Sequence, residues 1–228
     1  MRYENIVSGK FIARPNRFIA EIEIDGKTEI CHVMNTGRMK ELLVPGAKVF
    51  LTESKNPLRK TKYDLVAVEN DGRTVNIDSL APNKIAGEYI KKLFPEVTFV
   101  RPETVFGNSR FDFYAESPEE KIFLEVKGVT LLCGNEARFP DAPTERGAKH
   151  LRELIKAKES GFRAAVLFVI AMKGAESFAP NAETDPNFAK ALSEAKAAGV
   201  EIYAVDCRVS PDEITADKRI KVKILKNN

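Results

Sequence analysis

The chain has 228 residues, with 36 Lys and Arg against 33 Asp and Glu and a formal charge of +3. Its 43% apolar and 30% charged residues are those expected of a soluble globular protein and exclude disordered, collagen-like and membrane-embedded classes. At roughly 150 residues per domain the length allows one to two domains, large enough to bury a full core without disulfide staples.

Residues 1 to about 80 read as short strands. The opening MRYENIVSGKF has no apolar signal core. Phe18 to Ile24 alternates apolar and polar residues, Asp25-Gly26 makes a hairpin turn, and TEICHVM resumes the alternation. Pro45-Gly46 turns the chain before AKVFLTE, KYDLVAV follows from Lys62, and TVNID comes after Asp71-Gly72. These five strands, with one short helical patch at RMKELL, predict a small closed barrel of the OB type, a fold that often binds oligonucleotides.

Near Leu80 the pattern changes, placing one domain over 1–80 and a second over 81–228. Pro82 to Phe94 is helical, with Ile85, Tyr89, Leu93 and Phe94 toward one face and Pro95 as its stop. VTFV, SRFDFYAE and KIFLEVKGVTL read as strands, followed by a helix from Pro143 to Ser160. Then come the strand RAAVLFVIAM, a helix from Pro186 to Ala198 stopped by Gly199, and the strands VEIYAVDC and IKVKIL. Strands alternating with helices predict an α/β layer with part of its sheet parallel. The longest apolar run, Ala164 to Met172, has nine residues, the length of a buried strand and too short for a bilayer, so no membrane partner is expected. Cys31, Cys133 and Cys207 are odd in number and far apart. They form no disulfide framework or zinc motif and suit a reducing cytoplasm.

The chemistry concentrates in SRFDFYAESPEEKIFLEVKGVT. Residues i and i+2 of a strand share a face, so Glu125 and Lys127 point together, and a hairpin at Pro118-Glu119-Glu120 brings Asp112 beside them. Ile122, Leu124 and Val126 then belong to the core. Two carboxylates can hold Mg²⁺ with several of its waters retained. The ion acidifies a bound water and neutralises phosphate charge, and a lysine ammonium stabilises the developing oxyanion. The competing reading is a solvated strand face carrying a salt bridge, since Asp…Glu-x-Lys is a loose pattern.

Downstream, FPDAPT leads into a helix for which Thr144 is the N-cap, leaving backbone N–H groups for a phosphate. Arg146, Lys149, His150 and Arg152 crowd its first turns. Cations there oppose the helix dipole and call for an anion, unless they form a charged outer face with Glu145 and Glu153.

SRFDF, EVKGVTL and FPDAPTERGAKHLREL, together with GKFIARPNRF, HVMNTGRMKELLVPGAKVFL and PNKIAGEYI, resemble the sugar fermentation stimulation protein A (SfsA) family in order over nearly the whole chain. The resemblance implies an N-terminal OB-like β-barrel followed by a PD-(D/E)xK nuclease-like α/β domain with a mixed central sheet. It also implies DNA binding and a regulatory link to sugar (maltose) metabolism in bacteria. In that pattern Asp112, Glu125 and Lys127 are the catalytic set, with Asp112 and Glu125 as ligands of Mg²⁺ or Mn²⁺ and Phe111 in place of the motif's proline. An upstream helical Glu completes such sites; Glu88 fits that role, with Glu103 as the alternative. In the barrel, the turn Asn35-Thr36-Gly37-Arg38-Met39 belongs to the same resemblance, and Arg38 is positioned to grip a phosphate. Loop 55–62 adds Lys55, Arg59, Lys60 and Lys62 without an acid, a surface for sequence-tolerant, salt-sensitive contact if it is not simply solvated. Phe11, Phe18 and Tyr63 are candidate stacking platforms or barrel core, and His32 reads as a structural histidine. The expected function is a DNA-binding protein with a metal-dependent phosphodiesterase site. The alternatives are a non-enzymatic DNA-binding regulator with a catalytically silent nuclease fold and an enzyme on a small phosphorylated or sugar substrate.

Overall fold

The computed structural model describes residues 1–56 and 58–224. Its N-terminal strands are β1 (Ile6–Asn16), β2 (Ile19–Ile24), β3 (Lys27–Val33), β4 (Lys48–Glu53), β5 (Tyr63–Asn70) and β6 (Arg73–Asn76). The pairings run β3-β2-β1-β4-β5, and parallel pairing of β3 with β5 closes the ring into a five-stranded barrel. The strand that sequence periodicity misses is β1. Two register shifts against β2, at Phe11/Ala13 and Ala13/Asn16, break its alternation, so no period-two signal survives. TVNID supplies β6, which pairs with β5 outside the closed ring and leads toward the second domain, where the Asn76 N–H bonds the Ala171 carbonyl at 2.8 Å. The Asp25-Gly26 turn is as expected, both residues having positive φ (49° and 74°). RMKELL is not a helix. Met39 is left-handed (φ 45°), and a single turn forms in which Leu42 and Leu43 N–H groups share the Met39 carbonyl.

The second half is α/β, as expected. The helix α1 (Ala81–Leu93) precedes β7 (Phe99–Phe106), β8 (Ser109–Glu116), β9 (Lys121–Val129), β10 (Leu131–Cys133), β11 (Glu136–Phe139), α2 (Glu145–Glu159), β12 (Arg163–Ile170), β13 (Ser177–Pro180), α3 (Pro186–Ala197), β14 (Glu201–Ser210), β15 (Glu213–Arg219) and β16 (Lys221–Val222). The main sheet has the order β15-β14-β12-β9-β8-β7; β9, β12 and β14 are parallel and the outer strands antiparallel. Both parallel connections, through α2 and then α3, step the same way across the sheet. The right-handed crossover rule therefore puts both helices on one face. Leu151, Leu154 and Leu192 pack there against Val166 and Phe168, while α1 covers the opposite face with Ile85 and Ile90 against Leu124 and Val205. The central strand β12 is buried along nearly its whole length, which explains its continuous apolar run. Burying each large apolar side chain there stabilises the fold by about 1.5–3 kcal/mol.

Two C-terminal details depart from expectation. PDEITADKR contributes the edge strand β15, half-buried and too polar to show alternation. Within IKVKIL, whose last residue lies outside the described residues, only Lys221–Val222 form a strand, in a small second sheet ordered β10-β11-β13-β16. One continuous apolar cluster runs from the barrel (Phe11, Val33, Met39, Val75) into the α2–α3 layer (Phe168, Met172, Phe178), so the barrel is packed against the sheet rather than tethered to it. Among the described residues no helix is long and apolar enough to cross a membrane.

Candidate active site

Strand β9 puts Glu125 and Lys127 on the layer facing α2. Glu125 is 1% exposed. Its Oε1 accepts from Lys127 Nζ at 2.5 Å and from His150 Nδ1, while its Oε2 is buried with no hydrogen-bond partner. His150 arrives there because α2 packs on β12 and reaches over the neighbouring strand β9. The helix starts where Thr144 Oγ1 accepts the Gly147 N–H at 3.0 Å, as the sequence predicts. Arg146 Nε donates to His150 Nε2 at 3.4 Å, an arrangement that assigns the proton on His150 Nδ1 to the Glu125 bond. Burial acts to raise the Glu125 carboxyl, but the His150 hydrogen bond and the Lys127 charge outweigh it and hold the group below the ordinary carboxylate range.

Asp112 reaches this cluster by a route the alternation rule does not foresee. The β8–β9 ladder ends at the pair Phe113–Leu124. Phe111 packs with Phe123 in the α2 layer, whereas Phe113 packs with Leu124 in the α1 layer. Two residues apart on a regular strand would share a face, so the strand rolls over at Asp112. Across from it, between the pairs Pro102–Phe113 and Thr104–Phe111, Glu103 has φ 51°, an uncommon left-handed backbone that accommodates the roll. Asp112 Oδ2 then accepts the Val126 N–H at 2.8 Å, and Oδ1 accepts Asn83 Nδ2 from α1 at 2.8 Å. Burial first and the Glu125 charge second push the Asp112 carboxyl up, against these two hydrogen bonds and the Lys127 charge. The two acids are therefore electrostatic neighbours with opposite shifts.

The upstream glutamates are elsewhere. Glu88, on the exposed side of α1, pairs with the Met1 ammonium at 3.2 Å. That ammonium also donates to the Ile214 carbonyl on β15, so the pair faces the opposite sheet edge. Glu103 is exposed and pairs with Arg110 at 3.5 Å. The α1 residue that meets Asp112 is Asn83, which no acid-based motif selects. Among the described residues, no group of three or more His, Cys, Asp or Glu is arranged to hold a metal ion.

Beside the cluster lies a cleft of about 410 Å³ between the two domains. The barrel turn Asn35–Gly37 lines one wall, Asp78, Pro82 and Asn83 line another, and Val126, Gly128 and the Phe139–Thr144 loop close it. The predicted phosphate-binding cations divide into two groups. Arg38 is exposed, and no ion pair holds its guanidinium among the described residues. Lys149 is exposed and bonds the Asn108 carbonyl at 2.9 Å, and Arg146 leans on His150. Loop 55–62 differs from the acid-free surface its sequence predicts. Arg59 makes a two-pronged bond to Asp64 (2.6 and 2.7 Å), which His32 also contacts at 2.8 Å; Lys55 pairs with Glu4 and Lys62 with Glu53. Lys60 alone of the four has no ion pair among the described residues. Two of the neutralising acids, Glu53 and Asp64, flank the loop on β4 and β5, and Glu4 comes from far along the chain, so a charge count confined to 55–62 misses all three. The Thr144 hydroxyl is likewise spent on its own helix, and its N–H bonds Asp185 Oδ2.

An OB-type barrel packed on a mixed α/β sheet, with an acid–acid–lysine cluster beside the interdomain cleft, defines the class of protein. Residues 12–77 match the SfsA N-terminal OB domain and residues 80–213 the sugar fermentation stimulation protein RE domain. The chain is 52% identical over 226 residues to a sugar fermentation stimulation protein homolog of Desulfitobacterium hafniense, covering 99% of each. It is 55% identical over 216 residues to that of Clostridium beijerinckii, covering 94% of this chain and 96% of the other. The solved structure of Pyrococcus furiosus SfsA in complex with Ca²⁺ superposes with a TM-score of 0.89 at 33% identity, covering 98% of both chains. The chain belongs to the SfsA family.

Proposed function

We propose that the protein binds DNA and that Asp112, Glu125, Lys127 and His150 form a divalent-metal-dependent phosphodiesterase site of the PD-(D/E)xK type. The observation that carries this reading is the Glu125 Oε2 atom, buried and without a hydrogen-bond partner. A carboxylate oxygen in that position is costly unless something cationic meets it. The donor set is hard oxygen, which suits Mg²⁺ or Mn²⁺, and the Ca²⁺ complex of the Pyrococcus furiosus relative points to the same ligand chemistry. Asp112 and Glu125 would hold the ion, which when bound acidifies water and offsets phosphate charge.

The chain's own groups supply the rest. His150 Nδ1–H fixes Glu125 Oε1 and leaves Oε2 free. Lys127 has protons beyond the one on Glu125 to donate to a non-bridging phosphate oxygen as its charge grows. Asn83 and the Val126 N–H orient Asp112. Arg38, Lys149 and Lys60 contribute salt-sensitive backbone contacts. The test is cleavage of a plasmid or oligonucleotide in Mg²⁺ by the wild type, Asp112→Ala and Lys127→Ala. Loss in both variants is expected, and retained cleavage in both contradicts the assignment.

One observation favours a second reading, a DNA-binding regulator with a silent site, linked to sugar metabolism as the family's name indicates. Glu125 Oε1 is already taken by Lys127 and His150, and no three-ligand metal group exists among the described residues. DNA affinity without metal-dependent cleavage would select it.

A further inference from the structure

Arg14, at the end of β1, uses its guanidinium in an unusual way. Its Nη1 donates to the carbonyls of Gly37 (2.7 Å) and Arg38 (3.2 Å), and its Nη2 to those of Asn35 (2.7 Å) and Arg17 (2.8 Å). All four acceptors are main-chain carbonyls. Three belong to the turn that forms the barrel's wall of the cleft. The same turn is pinned from within, where Asn35 Oδ1 accepts the Gly37 N–H at 2.8 Å. From outside, the other domain approaches it closely: a Cβ built on Gly37 would stand 2.9 Å from Asp141 Oδ2, so only glycine fits there without a shift. Asp141 is also the acid whose charge acts favourably on Arg14. Main-chain carbonyls carry no sequence identity, so the bonds fix the path of the turn and leave its side chains free.

We propose that Arg14 is a positioning residue: it holds the Asn35–Arg38 turn in the one conformation that puts Thr36 in the cleft and Arg38 at its exposed end, available to a nucleic-acid phosphate. The phosphate contact rests on the DNA-binding reading above; the hold on the turn does not. A planar fork with donors in fixed directions serves four carbonyls at once. A lysine at 14 keeps the charge but is a single point donor, so charge alone does not replace the function. Arg14 itself is half-buried and needs no contact with the ligand; it acts through Arg38.

The experiment uses the full chain and two readouts. The first is hydrogen exchange of the peptide spanning residues 34–39 in the wild type, Arg14→Lys and Arg14→Gln, the second variant covering a failure of the first to fold. The second is fluorescence-anisotropy binding of labelled single- and double-stranded oligonucleotides by the same proteins, Arg38→Ala and the double variant Arg14→Lys/Arg38→Ala. Faster exchange in the turn is expected in both Arg14 variants, with β9 peptides unchanged. Arg14→Lys should weaken binding about tenfold, near the loss from Arg38→Ala and the size of one charge-assisted contact. The double variant should bind no more weakly than Arg38→Ala, because both changes remove the same contact. Wild-type exchange in the turn of an Arg14 variant overturns the proposal, and so does wild-type affinity with a loosened turn or a multiplicative loss in the double variant. A wild type without affinity for either oligonucleotide defeats the DNA-binding reading instead, and the exchange result still decides whether Arg14 holds the turn.

Discussion

Asp112 Oδ2 accepts the main-chain N–H of Val126 at 2.8 Å, one residue past Glu125. That bond attaches a carboxylate from one strand to the backbone of the strand carrying the other acid, just where their ladder ends. The position of Asp112 is therefore set by backbone and by Asn83. Replacing it by Asn keeps the shape and one acceptor. Asp112→Asn is expected to abolish metal-dependent cleavage while changing stability by less than about 1 kcal/mol. Cleavage assays and urea unfolding on the same preparation check both halves.

His150 is a hydrogen-bond donor to a buried carboxylate and an edge-on neighbour of Phe111 (ring centroids 6.4 Å apart). Removing it leaves Glu125 with Lys127 alone. His150→Ala is expected to destabilise the protein by about 2–4 kcal/mol, the joint effect of a lost bond to a buried charge and a small cavity. Urea denaturation measures it; an unchanged midpoint would show that the bond does not matter to folding.

The Asp64 carboxyl gives a pH dependence with a definite sign. Burial, the largest influence, acts to raise it, but the bonds from Arg59 and His32 together hold it below the usual range. A depressed carboxylate contributes stability above its unfolded value near 3.9 and loses that contribution as pH falls through the lower folded value. The gap in urea midpoint between wild type and Asp64→Asn should therefore be constant near neutrality and narrow below about pH 4. A gap that widens on acidification contradicts the Arg59–Asp64–His32 arrangement as the cause.

The cations should separate by salt dependence. Arg38→Ala is expected to weaken DNA binding and reduce the slope of log affinity against log salt by about 0.7–0.9. Arg59→Ala should leave that slope unchanged and lower stability instead, because its guanidinium is already bound to Asp64.

Close packing where α1 meets β9 offers a further check. A Cβ on Gly128 would lie 2.6 Å from Pro82 Cγ, a clash that forces the α1 start or β9 to shift. Gly128→Ala is expected to lower stability by roughly 1–3 kcal/mol and to weaken cleavage, because Pro82 adjoins Asn83. A thermal melt and a cleavage assay report the two effects.

Local signals in the chain carry much of this architecture. Alternation in FIAEIEI, the two Asp-Gly turns, the apolar run of β12 and the Thr144 cap each follow from nearest-neighbour chemistry, and Glu125 and Lys127 share a face because β9 is regular. What escaped depends on longer reach. The bulges of β1 erase its period, and β8 rolls at Asp112, opposite the left-handed Glu103, so both strands break the rule used to read them. Glu88 has the right residue type on the right helix but the wrong side of it, where it meets Met1. Asn83 was invisible because its role lies in a bond to a carboxylate far along the chain, and Arg14 reads from sequence as one more loop cation for phosphate, whereas its guanidinium is spent on main-chain carbonyls. His150 was legible as a helix-start cation near phosphate, but its bond to Glu125 requires knowing that α2 reaches over β9.

On this reading the unpartnered Glu125 oxygen and Asp112 share a divalent ion. The most direct measurement is Mn²⁺ binding followed by electron paramagnetic resonance for the wild type, Glu125→Gln and Asp112→Asn. One ion per chain in the wild type, with affinity reduced at least about tenfold in each variant, is the predicted result. Mn²⁺ uptake that is absent from the wild type, or equal in all three proteins, would contradict it.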